Sequence, residues 1–230
     1  MQFSDFITEQ KNTHMTHIED KVLYGGVKGT RDAILALRSL RDMLGGEHEG
    51  KVSVKWDGAP AIFCGTDPRD GEFFVAKKGI FAKSPKVYKS NADIDADTSG
   101  DLNTKLKLAL KHLPELGIKG IIQGDFLYSK SDIKNQKIKG KNYVTFHPNT
   151  IVYAVPGESD AATAIKQSKI GIVWHTTYKG NSFETLKASY GVDVSRFNST
   201  RNVWSQDATL RDLTKLTMSR KDTDEVTNYL

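Results

Sequence analysis

Hydrophobic residues follow a helical period in the first third of the chain and an alternating period soon after it. Apolar side chains at Ile34, Leu37, Leu40 and Leu44 share one helical face. This spacing predicts an amphipathic helix over Thr30–Leu44, with Thr30 as its N-cap and Gly45-Gly46 ending it.

The next segments have the period of β-strands. From Lys51 to Trp56, valines and Trp56 alternate with polar side chains, and this places Lys55 and Asp57 together on the face opposite Trp56. A second strand at Ala61–Cys64 and a third at Glu72–Lys77 enclose the turn-forming sequence DPRDG, which predicts an antiparallel hairpin.

Helices and strands continue to alternate irregularly in the remainder. Leucines from Leu102 to Leu113 predict a helix whose Lys105, Lys107 and Lys111 face water. Three apolar segments read as central strands of one sheet, with a lysine-rich loop from Ser129 to Lys141 between the first two, and a helix and a strand follow. The segments are Ile118–Tyr128, Tyr143–Phe146, Thr150–Val155, Ala161–Gln167 and Ile170–Thr177.

This order of elements predicts an α+β fold with mainly antiparallel sheets flanked by helices, and it does not favour a doubly wound parallel sheet. We expect one domain over residues 1–194. Residues 195–230 form a polar segment with a weak helical pattern at Leu210, Leu213 and Leu216, which could begin a truncated region.

Composition narrows the class of protein. No apolar run approaches the roughly 18 residues that a membrane helix needs, and the N-terminus is polar, so we expect a cytoplasmic protein without a membrane partner. The net charge of +5 is concentrated in Lys77–Lys89 and Lys130–Lys141, which suits phosphate-bearing ligands as well as a solvated surface. The single cysteine, Cys64, is best explained as a small core residue.

The segment Lys55-Trp56-Asp57-Gly58 carries the strongest chemical signal. A lysine must be neutral to act as a nucleophile, and nearby cations, a metal ion or burial favour the neutral form. The predicted hairpin can bring Lys77 and Lys78 over the same face, where they would also hold phosphates. The alternative is an exposed strand lysine paired with an aspartate.

These residues resemble the K-x-D-G motif of the nucleotidyltransferase superfamily that contains ATP-dependent DNA and RNA ligases and mRNA capping enzymes. The resemblance implies a ligase-like, ATP-grasp-like fold in which Lys55 becomes a lysyl-nucleotide. Asp57 and Gly58 complete the motif, and Lys78, 23 positions after Lys55 and next to Lys77, would contact the nucleotide.

Two later segments extend the resemblance. Gln123-Gly124-Asp125-Phe126 is similar to a family strand that ends in Gly-Glu, which implies that Asp125 binds the ribose or a metal ion. Thr150–Val155 resembles the following strand, where Tyr153 would stack on the purine. The implied cofactors are ATP and Mg²⁺ or Mn²⁺, and the implied partner is a nucleic acid with a 5′-phosphate.

The chain departs from the family pattern after residue 170. Ile170 stands where the fourth motif has glutamate, and no Lys-x-Lys fifth motif follows. The chain also resembles uncharacterised tailed-phage proteins that share VKWDGAPAI, GIKG and NTIVYAVP, which would place it in the cytoplasm of an infected host. Three functions stay open: an ATP-using ligase-type enzyme, a GTP-using capping-type guanylyltransferase, and a catalytically degenerate module that binds nucleotides or nucleic acid.

Overall fold

The structure is a computed structural model that describes residues 18–45, 53–212 and 218–229. Its helices are α1 (Ile18–Tyr24), α2 (Gly26–Leu44), α3 (Asn91–Asp97), α4 (Gly100–His112), α5 (Asp160–Gln167) and α6 (Arg220–Tyr229). Its strands are β1 (Ser53–Lys55), β2 (Ala61–Thr66), β3 (Phe73–Ala76), β4 (Ile121–Ser129), β5 (Lys134–Ile138), β6 (Lys141–Phe146), β7 (Tyr153–Pro156), β8 (Ile170–Lys179), β9 (Lys187–Tyr190), β10 (Val203–Asp207) and β11 (Thr209–Asp212).

The chain divides into two compact units. The first contains the described residues from Trp56 to Ala208, and the second contains the described residues on either side of that stretch. These boundaries differ from the expected one after residue 194. Strand β10 lies beyond that point, yet it pairs with β8 in the sheet of the first unit.

A six-stranded sheet forms the centre of the first unit. Its strands follow the order β10-β8-β4-β2-β3, and β9 pairs with the far end of β8. All pairs are antiparallel except β10 with β8, so the expectation of an α+β fold with mainly antiparallel sheets and flanking helices is confirmed. The predicted hairpin is the β2–β3 pair.

Helices α3 and α4 cover one face of this sheet. Ile94 from α3 and Leu106 from α4 are buried against strand residues such as Ile122. Lys105 departs from its predicted position, because its side chain is only 11% exposed. Its ammonium lies 5.7 Å from the centre of the Phe126 ring and forms an ion pair with Asp101. Lys105 therefore lies at the edge of the buried face of α4, and the solvent-exposed face is narrower than the lysine pattern predicts.

Part of the opposite face is covered by a second, three-stranded sheet of order β5-β6-β7. The prediction that the segments of β6 and β7 belong to the main sheet is wrong. Val144 and Phe146 of β6 pack with Ile165 of α5 and with Val173 of the main sheet. The segment expected to be a lysine-rich loop contains β5, which pairs antiparallel with β6.

The second unit contains α1, α2, α6 and the antiparallel pair β1–β11. Helix α2 begins at Gly26, one turn before the predicted start, and Thr30 lies inside it, where its hydroxyl donates to the Gly26 carbonyl at 3.0 Å. Gly45 ends the helix as predicted. Leu210 belongs to β11, while Leu213 and Leu216 lie outside the described residues. Across the described residues, no helix is long and apolar enough to span a bilayer.

Candidate functional site

The Trp56 side chain anchors the start of the first unit. Its backbone N–H donates to the Ala208 carbonyl at 2.6 Å. Its ring lies 4.6 Å from the Tyr153 ring and 5.7 Å from the Trp204 ring, measured between ring centres. Aromatic pairs at these separations are favourable beyond the area they bury, so the turn after Trp56 is held on a fixed base.

Asp57 is held by two side chains from the segment around β7. The Tyr153 hydroxyl accepts a hydrogen bond from the Asp57 N–H at 2.7 Å and donates one to the Asp57 carbonyl at 2.9 Å. Asn149 donates from Nδ2 to the Asp57 carboxylate at 2.7 Å. Asp57 is exposed, so its carboxylate is oriented while still open to solvent.

Gly58 brings this turn directly against β4. A Cβ atom at position 58 would lie 2.6 Å from the Phe126 carbonyl oxygen and 3.2 Å from Cβ of Asp125. Ala59 N–H donates to the same Phe126 carbonyl at 3.0 Å. Only glycine permits this approach, and as a result Asp57-Gly58 and Asp125 are neighbours although 67 positions separate Gly58 from Asp125 in the sequence.

Asp125 is 6% exposed, on the face of the main sheet opposite α4. His175 Nε2 lies 3.5 Å from its carboxylate, and Nδ1 of the same ring lies 2.7 Å from the Thr176 hydroxyl. The β4–β8 register shifts between Gln123 and Gly124, which leaves His175 as an extra residue on β8. A bulge of this kind re-aims a side chain, and here it directs His175 at Asp125.

His175 is not among the site residues that the sequence predicts. The alternation of β8 does not indicate that His175 reaches Asp125, because the bulge breaks that alternation. A second buried polar contact lies on the same face of the sheet, where the Tyr178 hydroxyl donates a hydrogen bond to the Gln123 side chain at 2.7 Å. Buried polar groups thus lie between the aromatic packing around Trp56 and that around Phe63.

The basic pair expected beside Asp57 has other contacts. Lys77 forms an ion pair with Asp97 at 3.0 Å, at the end of α3, and Lys86 and Tyr88 bind the same carboxylate. Hydrogen bonds from Lys86, Tyr88 and Lys77 hold the pKa of Asp97 well below its usual range. Lys78, the next residue, is exposed.

Tyr153, the residue expected to stack on a purine, lies among aromatic side chains. One side of its environment is the Trp56 ring, and the Phe146 ring lies 5.4 Å away between centres. With its hydroxyl bound to the Asp57 backbone, Tyr153 acts on the site by positioning Asp57. Tyr153 pairs with Phe146 on β6.

Lys55 belongs to the second unit and is its last residue before the chain enters the first. It is exposed and lies opposite Thr209 in the β1–β11 pair. The register of that pair shifts between Val54 and Lys55, so the simple alternation predicted for residues 51–56 is interrupted there. Residues 51 and 52 lie outside the described part of the chain.

The carboxylates available to a metal ion in the first unit include Asp57 and Asp125. In the described ranges, no group of three or more histidine, cysteine, aspartate or glutamate side chains is arranged to hold a cation. Mg²⁺ bound with a nucleotide characteristically uses one or two carboxylates together with phosphate oxygens and water. Asp57 and Asp125 are carboxylates of the kind that such an ion uses, and the described residues form no cage of protein ligands alone.

Comparisons with known proteins give one match. Residues 12–230 match the model of a family described as a family of unknown function, DUF6267. No curated protein and no solved structure matches the chain. Because the match extends over nearly the whole sequence, the chain belongs to the DUF6267 family.

Proposed function

We propose that this protein is a covalent nucleotidyltransferase of the polynucleotide-ligase type, with a ligase-like fold, that forms lysyl-AMP on Lys55. The observation that supports it best is the close approach of Gly58 to Asp125. Asp57-Gly58 and Asp125 belong to two segments that resemble ligase motifs, and they are far apart in the sequence but adjacent in the first unit. If the K-x-D-G sequence had occurred by chance on an exposed strand, there would be no reason to expect these segments to be adjacent.

The proposed reaction has two steps. In the first, the neutral Lys55 amine attacks the α-phosphorus of ATP, an N–P bond forms, the bond to the β-phosphate oxygen breaks, and pyrophosphate leaves. In the second, an oxygen of a nucleic-acid 5′-phosphate attacks the same phosphorus. The N–P bond then breaks, AMP passes to the 5′-phosphate, and the amine is regenerated.

The residues of the first unit have distinct roles in this proposal. Asp57 and Asp125 supply the negative charge that would hold a nucleotide-bound Mg²⁺ or Mn²⁺, which would neutralise charge on the phosphates. His175 fixes the orientation of the buried Asp125 carboxylate, and Tyr153 fixes the Asp57 backbone. Exposed Lys78 is the basic residue that stays available to a phosphate.

The deciding experiment is incubation of the full chain with α-labelled ATP and Mg²⁺ or Mn²⁺, followed by denaturing electrophoresis and intact mass measurement. We expect one AMP moiety per chain, released by acid as expected for a phosphoramidate. Lys55→Ala and Lys55→Arg should abolish the label, while Lys83→Ala, at another exposed lysine, should retain it. A wild-type chain without label, or a labelled Lys55→Ala chain, would refute the proposal.

The same assay addresses the choice of purine. Labelled ATP and labelled GTP are offered in separate reactions, each with the other nucleotide unlabelled in excess. Preferential labelling by ATP supports the ligase-type reaction. Preferential labelling by GTP identifies the capping-type guanylyltransferase, which uses the same lysine chemistry.

A second candidate is a module that binds nucleotide or nucleic acid without catalysis. Two contacts favour it specifically: Lys77 is engaged by Asp97, and the Tyr153 ring is packed on Trp56. Both residues are thereby occupied in ways that a nucleotide-stacking and phosphate-holding role does not require. Equilibrium binding of ATP or an oligonucleotide that is unchanged in Lys55→Ala, together with no covalent label on wild type, would select this function.

A further inference from the structure

The β5–β6 hairpin is a lysine-rich projection that the proposed chemistry does not use. All nine residues from Lys134 to Asn142 are exposed. Lysines stand at four of these positions, and no aspartate or glutamate occurs between Ile133 and Gly157. The four lysines are Lys134, Lys137, Lys139 and Lys141.

The charges of these lysines are not neutralised within the described part of the chain. Ion pairs there involve other lysines, as with Lys77 and Lys86 on Asp97, Lys89 on Asp67 and Lys107 on Asp95. The hairpin lysines have no such contact among the described residues. A local positive field without acidic neighbours attracts polyanions over a distance of about a Debye length, roughly 10 Å at 0.1 M salt.

A simpler explanation is that lysines on an edge strand prevent that strand from pairing with the edge strand of another sheet. That explanation accounts for Lys134 and Lys137, which lie on the edge strand β5. It does not account for Lys141, because β6 lies between β5 and β7, nor for Lys139, which lies in the turn.

The backbone conformation of the turn disfavours lysine at position 139. Ile138 pairs with Lys141, so Lys139 and Gly140 form a two-residue turn, and both have positive φ, 47° and 80°. This is the type I′ arrangement, in which asparagine, aspartate or glycine is favoured at the first position. A lysine at the tip of the hairpin is therefore present despite the backbone preference.

The side chains on both sides of the hairpin suit a nucleic acid. Register places Lys134 and Lys141 on one face and Lys137 on the other, and exposed amides at Asn135 and Gln136 lie among them. Lysine and amide side chains contact phosphates and sugars without reading sequence. An anionic membrane surface would favour an apolar face, and Ile138 is the single large exposed apolar residue of β5 and the turn.

Strand β6 also connects the hairpin to the candidate site. Phe146 of β6 pairs with Tyr153, whose hydroxyl binds Asp57, and Lys141 begins the same strand five residues earlier. Five residues of a strand extend about 17 Å.

We propose that the β5–β6 hairpin binds the sugar–phosphate backbone of the nucleic acid that receives AMP. This inference rests on the proposed function for the identity of the reaction, and it names the surface that holds the acceptor. The four lysines supply the binding by neutralising phosphates. Sequence preference is not expected from this surface.

The experiment measures binding of a fluorescent, 5′-phosphorylated 20-nucleotide single strand by anisotropy, without ATP, across a series of salt concentrations. The test variant is the full chain with Lys→Gln at residues 134, 137, 139 and 141. The matched control removes four exposed lysines elsewhere in the same unit, at Lys83, Lys111, Lys119 and Lys187. Far-UV circular dichroism and thermal unfolding are recorded for each variant.

We expect the test variant to bind at least tenfold more weakly at 0.1 M salt, and the control variant to change less than twofold. The slope of log K against log salt should become shallower by about 2 to 3, since each phosphate contact contributes about 0.7 for a single strand. Equal weakening in both variants, or no weakening in either, overturns the proposal. So does hairpin-dependent binding to anionic lipid vesicles without binding to the oligonucleotide.

Two further variants keep the test decisive if the four-site variant folds poorly. Lys→Arg at the same four positions retains the charge and should restore wild-type binding. Lys139→Asn suits the type I′ turn and should preserve folding while weakening binding severalfold. Wild-type affinity in Lys139→Asn, or lost affinity in the arginine variant, would count against the proposal. Oligonucleotide binding needs no nucleotidyl transfer, so hairpin-dependent binding by a chain that forms no lysyl-AMP would refute the proposed function alone.

Discussion

Gly58→Ala tests the close approach on which the candidate site depends. The added Cβ would lie 2.6 Å from the Phe126 carbonyl oxygen and 3.0 Å from the Leu127 side chain. Carbon and oxygen atoms in contact ordinarily lie about 3.3 to 3.6 Å apart, so the turn and β4 must separate by roughly 0.7 to 1 Å. That movement would also stretch the hydrogen bond from Ala59 to the same carbonyl.

The expected cost follows from two opposing terms. Forcing a methyl group into a packed contact costs about 1 to 3 kcal/mol. Replacing glycine by alanine restricts the unfolded chain and returns about 0.4 to 1 kcal/mol. The midpoints of these two ranges give a net fall in the free energy of unfolding of about 1.3 kcal/mol. This fall lowers the unfolding temperature of a unit of this size by about 3 to 5 °C.

Urea unfolding followed by tryptophan fluorescence measures this change, because Trp56 and Trp204 lie beside the turn. Gly79→Ala is the matched control, since its added Cβ would meet only the flexible Lys86 side chain at 3.4 Å. The control should stay within about 0.5 kcal/mol of wild type. Indistinguishable stabilities for Gly58→Ala, Gly79→Ala and wild type would refute the close approach and remove the main support for the proposed function.

Three further predictions concern single side chains. Tyr153→Phe removes two hydrogen bonds to the Asp57 backbone and should lower the free energy of unfolding by about 1 kcal/mol in urea titrations, with a lower yield of lysyl-AMP. Burial raises the pKa of the Asp67 carboxyl, but the hydrogen bonds and charges of Arg69 and Lys89 together outweigh burial and hold that pKa well below its usual range. Asp67→Asn should therefore cost about 2 to 4 kcal/mol at pH 7, and the difference from wild type should shrink as pH falls below about 4, where the unfolded carboxyl is protonated and the folded one is not. Burial raises the pKa of the Cys64 thiol, so a thiol reagent should modify it slowly in the native chain and completely in denaturant.

Each of these predictions has a result that contradicts it. Unchanged stability in Tyr153→Phe would mean that water replaces both hydrogen bonds without loss. A constant difference between Asp67→Asn and wild type from pH 7 to pH 3 would mean that the ion pairs of Asp67 do not contribute through its ionisation. Rapid labelling of Cys64 under native conditions would mean that β2 is accessible to solvent.

The central strands of the main sheet were predictable from sequence, because strands that are buried on both faces appear as short apolar runs. Strands β2, β3, β4 and β8 are buried along most of their length. Strand β5 was missed because all five of its side chains are exposed, so no apolar alternation records its existence. β5 is a strand because its backbone pairs with that of β6, and the pattern of apolar and polar residues does not reveal this pairing.

The candidate site was predictable only in part. The sequence indicates that the KWDG and QGD segments carry functional residues. It does not indicate that Gly58 and Asp125 are neighbours, because that proximity is a tertiary contact between Gly58 and β4. His175 was missed because a bulge in β8, not an alternating pattern, directs it at Asp125. The sequence also does not reveal that the Trp56 ring lies beside Tyr153, because this contact joins distant segments.

The route of the chain between the two units has a consequence for the order in which they fold. The stretch from Trp56 to Ala208 interrupts the second unit, and a hydrogen bond of 2.6 Å joins its two ends. Without the first unit, pairing β1 with β11 would close a loop of about 150 residues, at an entropic cost of roughly 4 kcal/mol. Once the first unit has folded, its joined ends deliver β1 and β11 as neighbours, so the second unit is expected to assemble last and to lose its structure first.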